Sequence, residues 1–265
     1  MTDRRPDAAG PTAFADAAFA ERAVYLRAHD ALVLADLHVG RGEASAVSLP
    51  LGERADLADR LDALLDRFDP ETVVVAGDAV HTFDRVTDRA RGTLNALRDR
   101  CEASGATFEL VAGNHDVALA DAWDGPVSEE SVLNGDDSDS GAAGAPRTVV
   151  RHGHEAPAAG RASAPADRYV IGHVHPTIEI EGDRRPCFLS GAGTYRGADL
   201  LVLPAFTRLA AGVPVNDAVR TGLDSPLVTD AAALAPVVYD PDAGAADGAE
   251  SALRFPPLGE FDRLL

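Results

Sequence analysis

Five times along this chain a short apolar run ends in a polar cluster. ALVLA runs into DLHVG (Asp36 to Gly40), TVVVA into GDAVH (Gly77 to His81), and FELVA into GNHD (Gly113 to Asp116). TVVR runs into HGH (His152 to His154), and YVI into GHVH (Gly172 to His175). Of the eight histidines only His29 falls outside these clusters. Aliphatic and β-branched runs of this length read as buried strands. Aspartate, asparagine or histidine at the end of each such strand demands a fold in which the strand ends converge. A single DxH or GD is a weak signal. Five clusters in series read as a site for two metal ions.

The segments between the clusters set the fold class. AVYL and ALVLA read as two strands around a turn at Arg27 to Asp30. Residues Gly52 to Phe68 carry leucines at 57, 61, 64 and 65, a helical stripe, and Arg85 to Cys101 is predicted helical with Leu94 and Leu97 inward. TVVVA, apolar on both faces, suits the centre of a covered sheet. TIEI and RPCFL read as a hairpin turning at Gly182 and Asp183, and DLLVL as a further strand. Early β-α alternation followed by β-rich sequence predicts an α/β fold of two packed sheets with helices outside. Residues 1–265 are read as one domain, with a flexible acidic insert at 128–146. An irregular C-terminal extension begins at about residue 216, with PVVYD and ALRF as short strands.

Composition limits the partners. The net charge is -19, and all 24 basic residues are arginine. An acidic, lysine-free, alanine-rich chain is similar in composition to proteins of salt-loving archaea. In molar salt the Debye length is only ~3 Å, so bulk charge neither steers nor repels a polyanion strongly and local arginines must do so. Arg41, Arg184, Arg185 and Arg196 lie near the clusters, but the sequence shows no basic run and only 5% aromatic residues, which counts against a large nucleic-acid interface. No stretch approaches 18 apolar residues and the N-terminus has no apolar signal region, so a cytoplasmic chain without a membrane span is expected. Cys101 and Cys187 lie outside the clusters and are expected to be buried small residues.

In an extended segment Asp36 and His38 would face one side, as would His173 and His175. Asp78 offers two oxygens and can bridge two ions; Asn114 offers an amide oxygen, and His152 completes the set. Nitrogen and oxygen donors without thiolate favour Mn, Fe, Zn or Co over Ca or a structural zinc.

The order DxH, GD, GNHD, H, GHxH resembles the calcineurin-like metallophosphoesterase superfamily. DLHVG, GDAVH, HPTIEI with RRPCFL, and LVLPAF are similar more narrowly to archaeal SbcD-related phosphoesterases and to bacterial ligase-associated DNA-repair metallophosphoesterases. The resemblance implies a four-layer α/β/β/α sandwich and two divalent ions, Mn foremost. One ion would take Asp36, His38, Asp78 and His175, the other Asp78, Asn114, His152 and His173. It makes His115 the acid that protonates the leaving oxygen, with Asp116 orienting it or else capping a helix. By the same pattern the first histidine of HGH is the ligand, and His154 contacts substrate phosphate or supports a ligand. His81 either places the scissile phosphate or supports a metal ligand. The activity implied is phosphodiester hydrolysis, as a DNA nuclease in repair acting on single strands beside a helicase or ligase. A phosphodiesterase or phosphatase of nucleotides or other small phosphoesters is the alternative. A metal-free scaffold is disfavoured because every motif position is filled.

Overall fold

The structure, a computed structural model, describes residues 13–44, 52–134, 144–158, 165–241 and 252–263. A first sheet runs in chain order through β1 (Ala17–Ala20), β2 (Ala23–Leu26), β3 (Ala31–Leu34), β4 (Thr72–Ala76), β5 (Thr107–Val111) and β6 (Val127–Ser128). From β3 to β6 the strands are parallel. The following strands are β7 (Ser131–Leu133), β8 (Thr148–Arg151), β9 (Arg168–Ile171), β10 (Pro176–Ile180), β11 (Asp183–Pro186), β12 (Phe188–Tyr195), β13 (Ala198–Val202), β14 (Val213–Pro214), β15 (Ala235–Tyr239) and β16 (Ala252–Arg254). The second sheet has the order β16-β15-β12-β13-β9-β8-β7, with β8, β9 and β13 parallel; β11, β10 and β14 form a small third sheet.

Alternation along the strands builds the layers. Leu32, Leu34, Val73 and Val75 face two long helices, Glu53–Phe68 and Asp88–Ala103, and meet Leu57, Leu61, Leu64, Leu94 and Leu97. The intervening residues, Val33, Val74 and Ala76, face the other way and pack against Val150, Val170, Phe188 and Leu201 of the second sheet. Each fully buried leucine here is worth roughly 1.5–3 kcal/mol. The outer face of the second sheet buries Leu200, Val202 and Val238 under Val215, Ala218, Leu227 and Leu258. That last layer consists of short helical turns and loops, so the four-layer sandwich is thick on one side and thin on the other. Cys101 and Cys187 are buried free thiols in two of these cores. No helix among the described residues is long and apolar enough to cross a membrane.

Several sequence expectations shift. Residues 17–20, for which the sequence predicts no element, form the edge strand β1 through antiparallel backbone pairing with β2. The 128–146 insert contains β7, which pairs with β8; residues 135–143 lie outside the described residues. The β10–β11 turn is at Glu181 and Gly182, since Asp183 pairs with Ile180. RPCFL does not stay in one hairpin, because the chain leaves β11 for β12 in the second sheet. Beyond residue 216, β15 and β16 complete that sheet.

Candidate functional site

The polar clusters follow the carboxyl ends of β3, β4, β5, β8 and β9, the parallel strands of both sheets. Open α/β sheets place their sites at such ends. The β3–β4 pairing continues into the loops. The Asp36, His38 and Val39 N–H groups donate to the carbonyls of Gly77, Asp78 and Ala79 at 2.9–3.0 Å, locking the DxH and GD segments side by side. LVLPAF then crosses between the sheets. The Leu203 N–H donates to Ile171 O (2.7 Å) and the Phe206 N–H to Ala35 O (2.8 Å).

The segments are not extended as predicted. Asp36, His38, Asp78, His173 and His175 have φ of 57°, 44°, 49°, 67° and 50°. Left-handed backbone is uncommon away from glycine, although aspartate and histidine tolerate it best. The apolar Leu37 and Val174 between them are buried and anchor each segment. Convergence of the pairs therefore comes from locally costly turns held by their surroundings. Two glycines allow the close approach. A Cβ on Gly77 would collide with the His152 ring, and one on Gly113 with the Asp78 carboxylate.

The donors meet in one cluster. His175 Nε2 lies 3.1 Å from Asp36 Oδ1 and 3.4 Å from His38 Nε2, which is 3.6 Å from Asp78 Oδ2. His152 Nε2 lies 3.0 Å from Asn114 Oδ1 and 3.3 Å from Asp78 Oδ1. The His173 ring centroid is 4.9 Å from that of His152, and the His173 N–H donates to the Asp36 carboxylate. Of the two HGH histidines, His152 reaches in. Its Nδ1–H donates to the Ala76 carbonyl (3.1 Å), which leaves the Nε2 lone pair facing the other donors.

This donor set fits divalent ions. Donor pairs 3.1–3.6 Å apart match what two bonds of about 2.0–2.2 Å to one ion, at roughly 90–110°, would span. Three overlapping groups have donor atoms within 4.8 Å of one another: Asp36/His38/His175, Asp36/Asp78/His152 and His38/His81/His115. Burial pushes His38 down to about 3 and His152 down to about 4, so both rings stay neutral and free to ligate. Burial, with Asp36 and Asp116 nearby, pushes Asp78 up to about 8. A carboxylate that the chain alone leaves so poorly compensated suits a bridging position between cations.

His115 sits at the rim of the cluster. Its Nδ1–H donates to the His81 carbonyl (2.7 Å), and its Nε2 is 3.8 Å from Asp78 Oδ2. Asp116 does not orient it. The Asp116 carboxylate is buried and accepts the N–H groups of Ala79, Val80 and Gly113 at 2.9–3.2 Å. Three backbone donors pull that side chain beneath the loops, so it ties GDAVH to GNHD and leaves the orienting contact to the His81 carbonyl. The His81 ring lies 5.5 Å from His38 and 5.8 Å from His115. His154 is at the far side, 5.2 Å from the His152 ring and 6.1 Å from that of His173. Sequence reasoning missed Phe83. It is 52% exposed and stacks on His115 at 3.9 Å, and only its place just after the GD cluster signals it. Arg41 donates to the Leu209 carbonyl and, second to burial, helps to hold His81 below its usual range, and Arg196 lies over Tyr195.

Residues 30–202 match the model of the calcineurin-like phosphoesterase family. No curated protein sequence matches the chain. Among solved structures, the nuclease MPE of Pseudomonas putida is similar at 25% identity and TM-score 0.51, covering 89% of this chain and 92% of that one. YfcE, a phosphoesterase from E. coli, aligns at 16% identity over 80% of this chain and 88% of that one, with a TM-score of 0.38. The family depends on two metal ions, and its match takes in each of the five clusters. The chain therefore belongs to the calcineurin-like phosphoesterases and is a metal-dependent phosphoesterase.

Proposed function

We propose that this phosphoesterase cleaves phosphodiester bonds within single-stranded DNA. Asp36, His38, Asp78 and His175 would hold one ion, and Asp78, Asn114, His152 and His173 the other; the donors admit Mn, Fe, Zn or Co, and the resemblance puts Mn foremost. When bound, such ions supply Lewis-acid polarisation of a phosphoryl oxygen and a more acidic water. The chain's own part is positioning and proton transfer. His115, fixed through Nδ1, presents Nε2 at the edge of the cluster. A general acid standing there would protonate an alkoxide leaving group; the observation that carries the diester reading is the similarity to a nuclease over most of both chains. His81 and His154 flank the cluster and would hold the non-bridging oxygens of the substrate phosphate. Similarity to a nuclease over most of both chains supports nucleic acid as the substrate. The narrower likeness to SbcD-related and ligase-associated enzymes supports a role in DNA repair beside a helicase or ligase.

The test is incubation of Mn-loaded protein with circular single-stranded DNA in high salt, beside cyclic nucleotides and phosphomonoesters. Nicking of the circle is the expected result. An intact circle with fast hydrolysis of a small ester would replace this reading with a small-molecule phosphoesterase.

A further inference from the structure

A cleft of about 180 Å³ opens directly beside the cluster residue His175. Its walls include Arg22, Arg184, Thr177 and Gly212. Three features suit it to an anion. The Thr177 side chain is buried, at 7% exposure, yet its Oγ1 has no hydrogen-bond partner. Buried hydroxyls are nearly always paired; the Thr177 hydroxyl is covered and unpaired in the free protein, and a turn of its side chain toward the cleft that Thr177 lines would pair it with a bound oxygen. Arg22 is held rigidly, because its Nη1 donates to the carbonyls of Ala205 (3.2 Å) and Thr207 (2.6 Å). Burial, with Arg60 and Arg208 nearby, lowers Arg22 only to about 10, so it remains a cation at neutral pH. Arg184 is exposed on β11, and no side chain among the described residues pairs with it.

The path continues away from the metal cluster. Successive residues on a strand point to opposite faces, so Arg184 serves this cleft while Arg185 serves the next. That second cleft, of about 240 Å³, shares Arg22, Pro186 and Pro204 with the first and ends at Tyr239. Arg208 also lines it, but ion pairs with Glu21 and Asp56 already engage that side chain. The absence of a basic run in the sequence therefore hides a basic path. Arg22 and the adjacent pair Arg184 and Arg185 come from two segments far apart in the chain, brought together by the β1–β2 turn and the β10–β11 hairpin.

We infer that Arg22, Arg184 and Thr177 form a subsite for the backbone phosphate adjacent to the scissile one, so that the enzyme selects a strand over an isolated diester. This rests on the nuclease reading above and adds the device by which a strand is gripped. The guanidinium of Arg184 and the free edge of Arg22 would pair with the two non-bridging oxygens, and the Thr177 hydroxyl would donate a third bond. The arginines lie on the His175 side of the cluster. They therefore hold a flanking phosphate and leave the leaving oxygen to His115.

The test compares wild type with Arg184→Ala and Thr177→Val. On the Mn-loaded enzyme the substrates are bis-p-nitrophenyl phosphate, d(TpT) with one phosphate, and d(TpTpT) with two. Wild type should favour d(TpTpT) over d(TpT) in kcat/KM, and each variant should lose most of that preference, roughly tenfold for Arg184→Ala. Rates on d(TpT) and bis-p-nitrophenyl phosphate should stay unchanged. A binding readout is fluorescence anisotropy of a labelled oligothymidylate on Mn-loaded protein in the His115→Asn background across a KCl series. Arg184→Ala should reduce the slope of log Kd against log salt by about 0.7, the loss of one phosphate contact. Thr177→Val should weaken binding without lowering the unfolding midpoint, since the hydroxyl it removes satisfies nothing in the free protein. A preference and slope unchanged in both variants, or no preference for d(TpTpT) in wild type, overturns the subsite and leaves the nuclease intact. Hydrolysis of bis-p-nitrophenyl phosphate with neither oligonucleotide cut overturns the nuclease reading itself.

Discussion

At the scale of single residues, three side chains under one pair of loops should behave quite differently. Asp78 touches donors on both sides of the cluster, at 3.3 Å from His152 and 3.6 Å from His38. Asp78→Asn should lower bound metal from about two ions per chain toward one, as read by elemental analysis after Mn exchange. Wild-type protein that retains none under the same treatment contradicts the metal assignment. His115→Asn should keep both ions and lose roughly 10²–10⁴-fold in turnover of an alkyl diester. The loss should shrink on a p-nitrophenyl ester, whose leaving group needs little protonation; equal losses on both esters would make His115 structural. Asp116→Ala leaves three buried N–H donors without an acceptor. It should cost roughly 2–4 kcal/mol in denaturant unfolding, whereas a side chain that merely oriented His115 would cost activity and almost no stability. Asp116 was legible as a member of its motif, but its partner was not, because the three donors belong to loops that meet only in the folded chain.

At the scale of elements, strands announced themselves where both faces are apolar. TVVVA became β4 with its predicted bounds, and the leucines at 57, 61, 64 and 65 line the inner face of their helix. What stayed hidden had no periodic signal. AAFA of β1 is too small to read as a strand, and SVL of β7 is three residues long in acidic surroundings. The positive φ values at five cluster residues were hidden for another reason. Glycine usually marks such backbone, and here aspartate and histidine adopt it because both neighbours are pinned. Two glycine substitutions separate packing from backbone freedom. Gly92→Ala lies in the Asp88–Ala103 helix with open space where the Cβ would go, and should stabilise by about 0.5–1 kcal/mol. Gly77→Ala drives a methyl into the His152 ring at a φ of 81° and should lose both stability and metal. Thermal melts and metal analysis of the pair check this. A Gly77→Ala protein with two ions and a wild-type melt would mean that the GD turn is far looser than its contacts indicate.

At the scale of the whole molecule, a net charge of -19 on 265 residues repels itself at low ionic strength. Salt screens that repulsion within about 3 Å at 1 M. The unfolding midpoint should therefore rise between 0.1 M and 2 M KCl, and a midpoint that falls or stays constant would show that ion pairs, such as Arg151 with Glu130, outweigh the repulsion. Early β-α alternation followed by β-rich sequence foretold the two packed sheets, and the resemblance carried by the motif order implied their four layers. The thin outer layer was not foretold, since its buried residues, Val215, Leu227 and Leu258, are scattered through glycine- and proline-rich sequence without a period.

The donors of the cluster come from both sheets: Asp36, His38, Asp78 and Asn114 follow strands of the first, and His152, His173 and His175 follow strands of the second. Elsewhere the facing surfaces meet largely through aliphatic contacts, Val74 and Val111 against Val150, Val170 and Leu201. Ions held as proposed, by residues on both sides of that seam, would act as rivets, spanning about 140 residues of chain as a cross-link would. Chelation should then do more than stop turnover. Amide hydrogen exchange should quicken at the carboxyl ends of β4 and β8 while their opposite ends stay protected, so the sandwich opens from its catalytic edge like a book whose clasp has been undone.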